Sequence, residues 1–303
     1  MIAVRRILCA TDFSPASTPA WEFAQRLAWA TKADLLVLHV VAPVMTPLDG
    51  GFDAHLYEEL VAEGRAEAAT GCDRLEEEAA SHGLRVAVRV VEGAAAPRIV
   101  GVADTEEADV VVLGTHGRTG WNRLLMGSVA ERVVQLATQP VITVRAPADI
   151  APVDRPVARV MFPTDFSDAS HGAWPWARVL AGLTGAEVDL VHVLLEVVPD
   201  RHLDPTFLAG IEAAIRADAE KSVEPFLATA GFPRERIHVH LTHGVETDQI
   251  VHGARDRQAD LIVMGAHGRS GVFRVALGSV TRRVLHAAPC PVLTVGPRVS
   301  GAG

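Results

Sequence analysis

Short apolar runs recur along the chain, separated by longer stretches with the spacing of amphipathic helices. In the first half the runs are VRRILCA, ADLLVLHV, LRVAVRVVEG, ADVVVLG and PVITV. Helices are expected between them at ASTPAWEFAQRLAWATK, at about 54–82, at PRIVGVADTEEA and near SVAERVVQLAT. The second half repeats the series as ARVMFP, EVDLVHVL, RIHVHLTHG, ADLIVMG and PVLTV, with helices at 204–230, 245–258 and 279–287. Apolar strands alternating with helices predict an α/β fold, a doubly wound parallel sheet of five strands in each half. ADVVVLG and ADLIVMG are continuous apolar runs, as central strands buried on both faces require.

The two halves are copies. GTHGRTGWNRLLMGSV at 114–129 aligns with GAHGRSGVFRVALGSV at 265–280, an offset of 151, and the match continues to PVITV and PVLTV. Upstream, CATDFSPAS at 9–17 meets FPTDFSDAS at 162–170 at an offset of 153. A repeat this long means two whole domains rather than a solenoid unit. RAPADIAPVDRPVA, with three prolines, reads as the connection. The expected organisation is a first domain at 1–146, a linker at 147–156, a second domain at 157–297 and a flexible tail at 298–303.

Composition narrows the function. With 303 residues, two domains are expected. A net charge of −9 argues against nucleic acid or an anionic membrane surface as partner. No apolar run approaches the roughly 18 residues of a membrane helix. The N-terminal MIAVRRILCATDFS has too short an apolar core for a signal peptide, so a cytoplasmic location is expected. Cys9, Cys72 and Cys290 show no CxxC spacing, and Cys9 and Cys290, in or beside apolar runs, read as small buried side chains. The two lysines, Lys32 and Lys221, lie outside any glycine-rich loop, which removes a Walker-type phosphate site.

The repeated glycines carry the chemistry. Each copy has Gly, two residues, Gly, nine residues, then Gly-Ser: Gly114, Gly117, Gly127 and Ser128, then Gly265, Gly268, Gly278 and Ser279. The first glycine ends a central strand, where open α/β sheets bind ligands. The last pair opens a helix, whose unpaired N–H groups suit phosphate. Ser128 also begins an S-x-x-E capping box, the competing explanation, but Ser279 begins SVTR, which has no acidic partner. Asp12 and Asp165, in TDFS after the first strand of each half, are candidate acceptors for a ribose or base. Their alternative is turn chemistry, with Ser14-Pro15 as helix cap and first-turn proline.

Among the histidines, His39 and His192 end apolar strands and read as satisfied core residues. His116 and His267 sit in the glycine loop, where shaping the loop or touching phosphate are the alternatives. His238 and His240 share a strand face, but no carboxylate or cysteine partner is evident, so no metal is expected.

The two full glycine patterns, the TDFS segments, the LHV and VHV strand ends and the PVITV and PVLTV endings together resemble a tandem universal stress protein of the ATP-binding type. The resemblance covers about 3–146 and 157–297. It implies strand order 3-2-1-4-5 in each half and an ATP site per domain, with or without Mg2+. Asp12 and Asp165 would contact the nucleoside, Val40 and Val193 would offer backbone to adenine, and Ala10 and Pro163 would line the pocket. Gly114, His116, Gly117, Arg118, Gly120, Gly127, Ser128 and Val129 would surround the phosphates. Gly265, His267, Gly268, Arg269, Gly271, Gly278, Ser279 and Val280 would do so in the second half. The last strands would pair the domains internally, with a homodimer as a further assembly. A nucleotide-dependent regulatory module is the reading this favours, over a slow ATPase or phosphoryl-transfer enzyme and over a nucleotide-free interaction protein. No catalytic residue is assigned, since no acid–base pair shows in the sequence. Gly265→Val is expected to block the nucleotide while leaving the fold intact.

Overall fold

The computed structural model describes residues 2–41, 54–115, 126–146, 148, 150–195, 204–266 and 277–296. The chain divides into two compact units, with the break between Arg155 and Pro156.

The first unit contains β1 (Arg6–Ala10), α1 (Thr18–Thr31), β2 (Asp34–Val41), α2 (Ala54–Ser81), β3 (Val86–Glu92), α3 (Ala95–Thr105), β4 (Val110–Gly114), α4 (Ser128–Leu136) and β5 (Val141–Val144). Its strands lie in the order β3-β2-β1-β4-β5. All are parallel, with Leu8 beside both Leu36 and Val111. The second unit contains β6 (Arg159–Pro163), α5 (Asp168–Thr184), β7 (Glu187–Leu194), α6 (Pro205–Thr229), β8 (Ile237–His243), α7 (Glu246–Asp256), β9 (Leu261–Gly265), α8 (Ser279–Ala287) and β10 (Val292–Val295). Its order is β8-β7-β6-β9-β10, again parallel. Each half is therefore a 3-2-1-4-5 sheet.

Burial explains the layout. β4 and β9 are buried almost throughout, as are β1 and β6 after their first residue. The edge strand β3 has only half-buried and exposed positions, as a strand with one unpaired edge does. The acidic residue before each fourth strand, read from sequence as part of ADVVVLG and ADLIVMG, has a specific task. Asp109 Oδ2 accepts from the backbone N–H groups of Arg5 (2.7 Å) and Arg6 (3.0 Å). Asp260 Oδ2 accepts likewise from Ala158 (2.9 Å) and Arg159 (3.0 Å). Each carboxylate fastens the start of the fourth strand to the start of the first. The two strands thus leave the sheet side by side at their carboxyl ends, where the order reverses.

Candidate functional site

At that reversal, the segment after the first strand folds the same way in both halves. Thr11 N–H donates to the Leu38 carbonyl (3.0 Å) and Thr164 N–H to that of Val191 (2.9 Å). Phe13 and Phe166 then take φ of 58°, a left-handed conformation that costs a non-glycine residue about 1 kcal/mol. Two interactions offset it. The Phe amide donates to the preceding Thr Oγ1, 3.0 Å in each half. The Phe ring lies on a histidine ring, with centroids 4.6 Å apart for Phe13–His39 and 4.8 Å for Phe166–His192. His39 Nδ1 donates to the Thr11 carbonyl (2.9 Å) and His192 Nδ1 to the Thr164 carbonyl (2.7 Å). A carbonyl only accepts, so the proton sits on Nδ1. Both histidines therefore brace the TDFS turn. The repeated phenylalanine was the sequence signal for this brace.

The aspartates are held as acceptors. Asp12 Oδ1 receives Ser14 N–H (3.1 Å) and Ser14 Oγ–H (2.7 Å). Asp165 Oδ1 receives Ser167 N–H (3.0 Å), Ser167 Oγ–H (2.6 Å) and Ser170 Oγ–H (2.6 Å). Turn chemistry is thus present, as the alternative reading held, and it also fixes where each carboxylate stands. The expected cap at Ser14 is not the one the fold uses. Ser167 caps α5 by accepting from Ser170 N–H, whereas α1 starts after Ser17 and Ser14 serves the Asp12 turn instead.

The Gly-Ser pairs behave differently from a capping box. Gly127 and Gly278 are the cap residues, and among the described residues neither helix shows a side-chain cap hydrogen bond. Ser128 and Ser279 are the first helical residues, and both are exposed. The glycines have φ of −61° and −58°, values open to any residue, so backbone conformation does not explain them. Their amides tie back to the strand ends, Gly127 N–H to the Thr115 carbonyl (2.6 Å) and Gly278 N–H to the Ala266 carbonyl (2.9 Å). The next N–H groups of each helix have no partner within the helix.

Gly265 has a structural duty that the sequence did not reveal. A Cβ there would lie 2.9 Å from the Ala169 carbonyl oxygen and 3.0 Å from its carbon. α5 presses on the strand end at this point, and the missing side chain is accounted for by that contact. The expectation that Gly265→Val would spare the fold is therefore corrected.

In the second half these parts surround one cavity of about 700 Å³. Pro163, Asp165, Val193, Gly265, Gly278, Ser279 and Val280 all line it, together with Asp218 of α6 and Glu246 of α7, which the sequence reading did not single out. In the first half, Ala10 ends β1 beside Leu38 and Leu113, Val40 lies next to last in β2, and Gly114 ends β4. Val129 follows Ser128 on the exposed first turn of α4. His116, Gly117, Arg118, Gly120, His267, Gly268, Arg269 and Gly271 lie outside the described residues, as does the tail at 298–303.

The two sheets, their order and the doubled motif agree with comparison to known proteins. The model of the universal stress protein family matches residues 3–145 and again 156–296. The chain belongs to the universal stress protein family. It is 28% identical over 296 residues to a universal stress protein of Mycolicibacterium smegmatis, covering 96% of this chain and 97% of that one. A universal stress protein of Mycobacterium tuberculosis is 32% identical over 231 residues, 75% of this chain and 72% of that protein. The crystal structure of a universal stress protein from Archaeoglobus fulgidus superposes with a TM-score of 0.68 at 22% identity, over 99% of both chains, which shows the shared tandem fold.

The histidine run resolves into hydrogen bonds to carboxylates of the neighbouring strand in the second unit. His238 Nε2 lies 3.0 Å from Glu187 Oε2, and His240 Nε2 lies 2.7 Å from Asp189 Oδ1. The carboxylate partners that the sequence did not make evident come from the adjacent strand β7. Among the described residues no helix is long and apolar enough to cross a membrane.

Proposed function

We propose that this universal stress protein binds ATP in each half and acts as a nucleotide-dependent regulatory module. The observation that carries the reading is the cavity of the second half. A fixed acceptor at Asp165, the strand end at Val193 and the uncapped start of α8 at Gly278-Ser279 all border it. An apolar stretch for a base, a carboxylate for hydroxyl or amine donors, and free helix N–H groups for phosphate are the three things a nucleotide needs. In the first half the equivalent turn, strand end and uncapped helix support the same reading. Mg2+ would accompany the phosphates as part of the ligand.

The direct test is nucleotide content. The protein is purified without added nucleotide, precipitated with acid, and the supernatant resolved by anion exchange. About two adenine nucleotides per chain support two sites, and about one assigns binding to a single half. If none co-purifies, calorimetric titration with ATP decides, and no heat at millimolar ATP sinks the reading. Ser128→Ala and Ser279→Ala remove an exposed hydroxyl that caps nothing, so stability should hold while ATP affinity falls about fivefold to tenfold per site.

A further inference from the structure

The two halves differ in one carboxylate at the start of the helix that follows the third strand. The offset that aligns the glycine segments also aligns β3 with β8, so Glu246 of α7 corresponds to Ala95 of α3, each the first residue of its helix. Asp218, the other acid on the cavity wall from the helices, corresponds to Glu67 and so does not separate the halves. Glu246 is exposed and lines the cavity near Val193 and Ile250.

Its place in the sheet says which end of a ligand it meets. α8, with Ser279 at its start, follows β9, whereas α7 follows β8. The order β8-β7-β6-β9 puts three strand spacings between them, about 14 Å. If phosphates sit at Ser279, Glu246 lies towards the base. Ala214, Ile215 and Ile250 line the same cavity, with Asp218 on the helix that carries the first two, so apolar surface for a base is present beside the carboxylates. A carboxylate accepts and does not donate. Adenine offers a 6-amino donor at its edge where guanine offers a 6-oxo acceptor.

We infer that Glu246 selects the base in the second site, accepting a hydrogen bond from the 6-amino group of adenine and repelling a 6-oxo group. The first site, with Ala95, has no such group and discriminates less. The inference rests on the nucleotide reading above, and the test separates the two. ATP and ITP are titrated calorimetrically into the full-length wild type, Glu246→Ala, Glu246→Gln and Ala95→Glu. In the wild type, one site prefers ATP over ITP by about tenfold more than the other. Glu246→Ala erases that difference by weakening ATP and strengthening ITP, so that the ATP-to-ITP ratio of the second site falls about tenfold. Glu246→Gln, whose amide can donate, strengthens ITP. Ala95→Glu confers the preference on the first site. Nucleotide binding with an ATP-to-ITP ratio indifferent to residue 246 overturns the inference and leaves the nucleotide reading standing. Absence of binding by the wild type overturns both.

Discussion

Gly265→Ala separates the packing role of the motif's first glycine from a role in ligand approach. The added methyl would stand 2.9 Å from the Ala169 carbonyl oxygen, 3.0 Å from its carbon and 3.2 Å from its Cβ, so something must move by several tenths of an ångström. Neither wall yields easily. Gly265 is buried at the end of β9, beside Val295, and its carbonyl accepts from Thr281 Oγ at 3.0 Å. Ala169 is in the first turn of α5, next to Ser170, whose hydroxyl is bonded to Asp165 Oδ1 at 2.6 Å. Relief would require α5 to shift together with the Asp165 turn. Overpacking of this kind costs about 1–3 kcal/mol. A two-domain chain does not unfold in two states, so hydrogen exchange on the intact protein is the suitable assay, with the first half as internal reference. A cost of about 2 kcal/mol corresponds to roughly thirtyfold faster exchange at the β9 and α5 amides. ATP affinity should fall with it, because the Asp165 turn moves. Unchanged protection with ATP binding lost would refute this reasoning and return the glycine to the ligand.

Two further outcomes follow from buried groups. Asp189 is 1% exposed and pairs with Arg159 (3.1 Å) and His240 (2.7 Å). Asp189→Asn should destabilise the second half by about 1 kcal/mol, since Arg159 is partly exposed and water can take over its pairing, and β7 and β8 amides should report it by faster exchange. The thiols give a pH dependence. Burial pushes Cys9 from 9.0 to about 12. Cys72 rises to about 11 through burial, Asp73 and Glu76, and Cys290 to about 12 through burial, then Asp260. Above pH 9 the unfolded chain loses thiol protons that the folded chain keeps, so stability is full below that pH and falls as pH rises towards the folded values. A thiol reagent at pH 8 should label Cys9 and Cys72 slowly in the native protein and rapidly once denatured; fast labelling of either in the native chain would contradict the burial.

The element series was legible because both strand periods and helix periods repeat, and a repeated misreading would have had to occur twice. The convergence of TDFS with the Gly-Ser helix start was legible too, given neighbouring first and fourth strands, an order that came from the family resemblance and not from periodicity. What stayed hidden is what depends on through-space neighbours. Gly265 looks the same in sequence whether it admits a phosphate or faces a helix backbone, and the closeness of Ala169 shows only in the fold. Ser128 reads as a cap until the helix is seen to begin at Ser128 itself, one residue earlier than a cap there requires. Glu246 lies outside every motif and gains interest only from the cavity it borders.

The ion pairs beside the first strand explain why comparing the two halves residue by residue conceals a shared requirement. Arg6 and Arg159 occupy the same place at the start of the first strand, and each needs an anion to compensate a partly buried guanidinium. In the first half it is Glu106, at the end of α3, 3.4 Å from Arg6 and 2.9 Å from Arg89. In the second half the residue aligned with Glu106 is Arg257, and the one aligned with Arg89 is His240. The anion has moved to Asp189, where the first half has Leu36. Arg257 then donates towards His240 Nδ1 (3.3 Å), leaving Nε2–H for Asp189. The charge has crossed from the helix to the interior of the sheet, yet the strand start is held the same way. Either carboxylate can reach the same arginine, so each position was free to change once the other had an acid. Electrostatic demand is thus kept by the fold and not by the aligned residue. The helix start after the third strand differs in the same manner at Glu246 and Ala95, where the same backbone frame carries a carboxylate in one copy and a methyl group in the other.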